Sequence, residues 1–340
     1  MIDSRIPVTI ITGFLGAGKT TLLNRLIQKH PEKKFAIIEN EFGEIGIDGA
    51  LIVEGSESIF ELSNGCICCT LNNDFNATLT QLIGLGDRLN HVLVETTGIA
   101  DPMTVVQSFI SGVEVQQHFR IDSVVCLADA ENMADLMESE PEVRNQLAMS
   151  DLVLINKADR VHVDYLAKLR ETILQINPMA VVHETKFADV SGVDVVDTDA
   201  YSGREVATSV LRFDYQHRVV GISNVMNAQL EKKEIAHRHD ITSEGFEFHG
   251  CFNIERFNSW VQGFLYFNSA TVFRVKGILS FAGYDEPYVL HAVRGTFMIE
   301  KFNGANAQGK YCKLVFIGKF LDREMLRDSL VQLLDSPSVQ

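Results

Sequence analysis

The sequence predicts an α/β protein in which a doubly wound, mostly parallel sheet is followed by a smaller α+β domain. Three observations carry this expectation. Apolar runs of strand length recur at 6–12, 34–38, 91–95, 121–128 and 151–155, with helical patterns or polar loops between them, as parallel strands with crossovers require. The first run passes directly into Gly13-Phe14-Leu15-Gly16-Ala17-Gly18-Lys19-Thr20 and then into a helical pattern from Thr21, so a glycine-rich loop joins a strand to a helix. Beyond Phe246 the pattern changes to alternating segments at 271–281, 288–302 and 310–320 with glycine-containing turns between them, which read as neighbouring antiparallel strands.

The first loop has the chemistry of a phosphate cradle. Glycines at 13, 16 and 18 let the backbone fold closely around a polyphosphate, and the amides from Ala17 through Thr21 open a helix whose positive end faces the anion. Lys19 is expected to reach the β and γ phosphates, and the Thr20 hydroxyl to ligate magnesium. The fold class is therefore that of the P-loop NTPases. The first helix should end near His30-Pro31, and a later one, 101–112, opens with Asp-Pro as cap and first-turn residue.

Two further strand ends complete a nucleotide site. Glu95 closes the run 91–95 and can hold magnesium through water, while the Gly98 amide can meet the γ phosphate. Where ordinary small GTPases carry a water-orienting glutamine, this chain has Ile99, which predicts slow intrinsic hydrolysis unless another group or a partner completes the site. The run 151–155 ends in Asn156-Lys157-Ala158-Asp159. The Asp159 carboxylate can accept from the N1 and N2 hydrogens of guanine while the Lys157 stem covers the ring; adenine lacks that donor pair. GTP is the expected nucleotide.

Two stretches point beyond nucleotide binding. Glu39 to Asp48 is a carboxylate-rich loop with two glycines, in the position of a switch segment that senses the γ phosphate; read alone, it is equally a solvated acidic loop. After the turn signal Asn64-Gly65 come Cys66, Cys68 and Cys69. Three thiolates in four residues can converge on zinc or copper(I) and leave a fourth position open, whereas a closed structural zinc site uses four ligands, often from two pairs. Buried or incidental thiols are the bland alternative.

With these motifs in order, the chain resembles the CobW-type metal-handling GTPases, relatives of the nickel-delivery GTPases of urease and hydrogenase maturation. The resemblance rests on TGFLGAGKTTLLN, IENEFGEIGID, NGCICC, ETTGIADP and NKAD, and covers the chain to about residue 185, more loosely thereafter. It implies a GTP-dependent zinc metallochaperone that serves client metalloproteins. Cys66, Cys68 and Cys69 match the family's metal motif, and Glu39 and Glu44 match switch-loop carboxylates implicated in metal binding. This chain has only a trace of the histidine-rich tract many members carry. A cobalt or nickel route, and a regulatory GTPase with a structural metal, remain alternatives.

Composition sets the remaining bounds. At 340 residues about two domains are expected, here 1–190, a linker at 191–212, and 213–340. A net charge of −15 with no offsetting basic patch argues against nucleic-acid and anionic-membrane partners. The first apolar run does not read as a signal peptide, no stretch approaches membrane-spanning length, and six cysteines are too few for a disulfide scaffold, so a cytoplasmic or similarly reducing location is expected. A homodimer is left open. His217, His237, His239 and His249 read as solvated loop residues before an H-x-H metal relay, and 257–264 and 322–334 as amphipathic helices.

Overall fold

The computed structural model describes residues 3–40, 59–64, 73–85, 89–202, 208, 241–302 and 310–335. Strands β1 (Ile6–Thr12), β2 (Phe35–Asn40), β3 (Ile59–Asn64), β4 (His91–Glu95), β5 (Phe119–Asp129), β6 (Leu152–Asn156) and β7 (Val181–Glu184) form one sheet in the order β3-β2-β4-β1-β5-β6-β7. Every pairing is parallel. Parallel strands are covered on both faces, which is why β1 is apolar in succession rather than alternating, with Val8, Ile10 and Ile11 wholly buried. The chain moves from β1 to one side for β2 and β3, returns for β4, and then runs to the other side for β5 to β7. The order therefore reverses at the carboxyl end of β1, the usual ligand position in such sheets.

Helices α1 (Lys19–Lys29), α2 (Asn73–Leu85), α3 (Pro102–Ser111), α4 (Val113–His118), α5 (Met133–Ser139), α6 (Pro141–Met149) and α7 (Val163–Ile176) connect these strands. Leu22, Leu23 and Leu26 of α1 recur at helical spacing and pack with Phe35, Ile37, Leu93 and Leu154 of the sheet. Asp101 caps α3 by accepting from the Met103 amide at 3.0 Å, with Pro102 at the first position. The helical stretch 131–149 breaks at Glu140-Pro141, because a proline ring cannot donate to the preceding turn but suits the start of the next helix.

By its contacts the chain divides into two compact units, Met1–Glu171 with Val181–Ala200, and Thr172–Ala180 with Tyr201–Gln340. The second holds β8 (Thr242–His249), α8 (Ile254–Asn268), β9 (Val272–Leu279), β10 (Tyr288–Val293), β11 (Thr296–Lys301), β12 (Tyr311–Gly318) and α9 (Arg323–Val331). Its strands are antiparallel in the order β11-β10-β9-β12-β8. The alternating segment 288–302 is a hairpin, since Val293 pairs with Thr296 across Arg294-Gly295 and Arg294 takes a φ of 54°, as a two-residue turn of this hand requires. His249 ends a strand that polar residues hide in the sequence: only Phe246 and Phe248 of β8 face the core.

That core is aromatic. Phe316 is buried between Phe246 and Phe264, each edge-on to it, and Phe264 stacks on Trp260 at 4.9 Å. Phe316→Ala is expected to destabilise this unit by about 3–5 kcal/mol. Trp260, the chain's single tryptophan, reports the change as a fall in the urea midpoint of its fluorescence.

Candidate nucleotide and metal site

The loop from Gly13 to Gly18 leaves the carboxyl end of β1 and delivers Lys19, Thr20 and Thr21 into the first turn of α1. No side chain caps this helix and no acidic residue occupies its first turn, so its amides and dipole remain available to an anion. The Lys19 ammonium, almost fully buried, donates to the Gly13 carbonyl at 3.1 Å and lies 4.0 Å from Glu95 Oε1. Glu95 reaches this position because β4 pairs with β1 in register, Glu95 beside Ile11. Thr96 continues the contact, its amide donating to the Ile11 carbonyl at 2.9 Å and its hydroxyl to Thr12 Oγ1 at 3.0 Å. The next hydroxyl, Thr97 Oγ1, is buried and has no hydrogen-bond partner among the described residues.

Asn156 joins this loop to the far side of the sheet. Its buried carboxamide donates to the Ala17 carbonyl at 2.8 Å and accepts from the Ala188 amide at 2.9 Å. The contact explains Gly18, which holds a φ of 106° and would place a Cβ 2.7 Å from Asn156 Nδ2. Gly98 is constrained in another way, by close approach: a Cβ there would stand 2.5 Å from the Leu15 amide nitrogen. Lys157 follows Asn156 and ion-pairs with Asp129 at 2.7 Å. Asp159 lies in the short 3₁₀ turn Ala158–Arg160 and lines a cavity of about 510 Å³ together with Leu154, Leu166, His183, Lys186 and Val193.

Glu39 stands in β2, its backbone beside Glu95 on one side and Ser63 of β3 on the other. One residue on, Asn40 pairs with Asn64. The acidic loop and the cysteine turn thus leave the sheet from adjacent strand ends. Glu44, Cys66, Cys68 and Cys69 lie outside the described residues, as do His217, His237 and His239. Among the described residues no three metal-ligating side chains converge. Burial pushes the thiols of Cys126 and Cys312 up to about 12 and about 11, which makes both poor thiolate donors at neutral pH.

A profile described as CobW/HypB/UreG, nucleotide-binding domain, matches residues 7–184. The chain belongs to the CobW/HypB/UreG family. A second profile, the cobalamin synthesis protein cobW C-terminal domain, matches 241–334. Among the relatives of this family member, the zinc chaperone YjiA of Escherichia coli is 29% identical over 333 residues, covering 96% of this chain and 98% of that protein. The zinc-regulated GTPase metalloprotein activator 1 of Schizosaccharomyces pombe is 28% identical over 347 residues, covering 94% and 83%. The fold is that of the Zn(II)-bound YjiA GTPase crystal structure, with a TM-score of 0.67 at 24% identity over 97% of this chain and 99% of that one.

Three features of this CobW/HypB/UreG member escape sequence reasoning. Buried Gln146 of α6 donates to the carbonyls of Gly98 at 3.0 Å and Ala100 at 3.3 Å, fixing the loop after Glu95. Asp129 holds Lys157. The third is residues 187–200, whose composition reads as the start of a connecting stretch: they form a strap along α1. Arg25 donates to the Phe187 carbonyl, Lys29 to those of Val190 and Val193, and Lys33 pairs with Asp197 at 2.5 Å. At the opposite end of the sheet from the phosphate loop, the Asp199 and Ala200 amides donate to buried Asp122, at 2.7 Å to its carboxylate and 2.8 Å to its carbonyl. A signal for the strap was present in Val190, Val193, Val195 and Val196, which pack into the core with α1.

Burial pushes the Asp122 carboxyl above the ordinary range, whereas the His91 imidazole and the Lys33 ammonium hold Asp197 well below it. A carboxylate that ionises at lower pH in the fold than in the unfolded chain contributes fully above about pH 4 and loses that contribution as pH falls further. Asp197 is half exposed, so its pair with Lys33 is worth little more than a surface bridge. Asp197→Asn is expected to cost about 1 kcal/mol at pH 7. The difference from wild type in urea midpoints should close as pH falls below about 3.

Proposed function

We propose that the chain is a slow GTPase, converting GTP and water to GDP and phosphate, whose nucleotide state controls a zinc ion carried for client metalloproteins. The observation that supports it most is strand register. Asn40 and Asn64, where the acidic loop and the cysteine turn begin, are paired at the same end of the sheet at which Glu95 lies beside Glu39 and 4.0 Å from Lys19. A change at the γ phosphate therefore has a short path to the start of both stretches.

In this reading the backbone of Gly13, Gly16, Ala17, Gly18, Lys19, Thr20 and Thr21 cradles the phosphates and Lys19 neutralises them. Asn156, Lys157 and Asp159 hold guanine. Thr20 and Glu95 offer the hard oxygen donors that magnesium prefers, and the orphaned Thr97 hydroxyl fits a site that water, metal or phosphate completes. Magnesium would neutralise the developing phosphate charge. Gly98 would donate its amide to the γ phosphate, held in place by Gln146 through its own carbonyl. Cys66, Cys68 and Cys69 with Glu39 and Glu44 form the zinc cage, because thiolates suit zinc and the described thiols at 126 and 312 are unsuited to it. The names of the relatives, a zinc chaperone and a zinc-regulated activator, support zinc as cargo. Among the described residues no helix is long and apolar enough to cross a membrane, and a cytoplasmic site of action accords with reduced thiols. In this reading the nucleotide domain, 1–190, is extended by the strap to Ala200, and the C-terminal domain begins at 213.

The test is zinc affinity by competition with a chromophoric chelator, on reduced protein loaded with magnesium and a non-hydrolysable GTP analogue or with GDP. The two states are expected to differ at least about tenfold, about 1.4 kcal/mol of coupling. Equal affinities, with unfolding on zinc removal, would favour a regulatory GTPase with a structural metal, and cobalt or nickel outcompeting zinc would favour another metal route. Cys66→Ser is expected to weaken zinc at least about tenfold, and binding in wild type should fall at low pH as the thiolates protonate.

A further inference from the structure

Lys157 occupies the left-handed region at a φ of 60°, a conformation that a lysine keeps only where its surroundings hold it. One such hold is the ion pair with Asp129. Register sets this up: β5 and β6 place Asp129 directly beside Asn156, and the Ala130 amide donates to the Asn156 carbonyl at 2.9 Å. The carboxylate therefore stands next to the residue that precedes the lysine. It is nearly fully buried, and two of its hydrogen bonds come from its own turn, from the Glu131 amide at 3.1 Å and from Asn132 Nδ2 at 3.0 Å. Those two bonds set the carboxylate without help from the lysine, and the Lys157 ammonium then takes a place already prepared for it. Burial acts to raise the Asp129 carboxyl, but the bonds from Lys157, Asn132 and the Glu131 amide together hold it below its ordinary value, so it is ionised at neutral pH.

We infer that Asp129 is a positioning residue for base recognition, fixing the Lys157 stem as one wall of the guanine site before nucleotide arrives. The inference rests on the guanine reading above. A lysine stem fastened at both ends gives up its rotamer freedom in the free protein rather than on binding, so ligand affinity does not carry that cost. A second tie, the Arg160–Glu131 pair at 2.9 Å, joins the same two loops on either side of Asp159 and keeps the carboxylate that reads the base in step with the stem that covers it. A purely structural ion pair would behave differently, changing the stability of the fold while leaving the affinity of folded protein for nucleotide untouched.

The experiment uses the full chain, magnesium and GDP with a fluorescent ribose label, with unlabelled ADP as competitor. Wild type, Asp129→Asn, Lys157→Met and the double variant are compared below their melting temperatures. Asp129→Asn and Lys157→Met are each expected to raise the GDP Kd about tenfold, and the double variant to be no weaker than Lys157→Met, because the aspartate acts through the lysine. A Kd for Asp129→Asn within about twofold of wild type, or a double variant showing the product of the single effects, would overturn the inference. Should Asp129→Asn fail to fold, Asn132→Ala removes one of the two bonds that preset the carboxylate; about threefold weaker GDP binding supports the inference and an unchanged Kd overturns it. A wild type that takes ADP as tightly as GDP overturns the guanine reading and this inference with it. A wild type that prefers GDP, with Asp129→Asn unaltered in affinity, overturns this inference alone.

Discussion

One buried carboxamide sets the distance between the two halves of the nucleotide site. Asn156 uses its nitrogen on the phosphate loop at Ala17 and its oxygen on the 185–190 loop at Ala188. A buried amide left unmatched at either end costs about 1–3 kcal/mol, so neither loop can drift without breaking a bond that water cannot replace. Much of the surrounding geometry follows from this. Gly18 must lack a side chain, and the strap that starts at Phe187 is held at its upper end through Ala188.

α1 extends the same constraint down the molecule. Its first turn offers amides to an anion, while Arg25 and Lys29, followed by Lys33 just past its end, recur every four residues and hold the strap by carbonyls and then by Asp197. The strap finishes on Asp122, which shares a hydrogen-bonded group with Thr9 and His91 across the three central strands. Asp122 is thereby satisfied on several sides, whereas at the carboxyl end of the sheet the Thr97 hydroxyl has no protein partner among the described residues.

What the sequence made legible was what local chemistry dictates. A phosphate cradle needs its glycines and lysine at fixed spacing, and strands buried on both faces must be apolar throughout, so the parallel sheet and the loop residues could be read directly. Asp129 and Gln146 could not, because each is a single polar residue whose partner lies far along the chain. The strap was hidden by composition: its valines are separated by aspartate and glycine, and its bonds are made by its backbone to side chains of α1. In the second unit, glutamate and glycine dilute β8, and a tight Arg294-Gly295 turn lies unmarked within an apparently continuous run.

The central place of β1 has a consequence for how the protein comes into being. The strand and its phosphate loop are translated before the other strands of the sheet, yet the neighbours of β1 are β4 and β5, and the loop's clamp waits for Asn156 and Ala188. Pairings this distant close late, because loop closure must precede the contacts that reward it. At ribosomal rates of about 5–20 residues per second, Ala188 emerges on the order of ten seconds after Cys69. A nascent chain thus carries Cys66, Cys68 and Cys69 before Asn156 and Ala188 exist to clamp its phosphate loop; in the reading proposed above, nucleotide control of a metal there begins only when the last third of the nucleotide domain has left the ribosome.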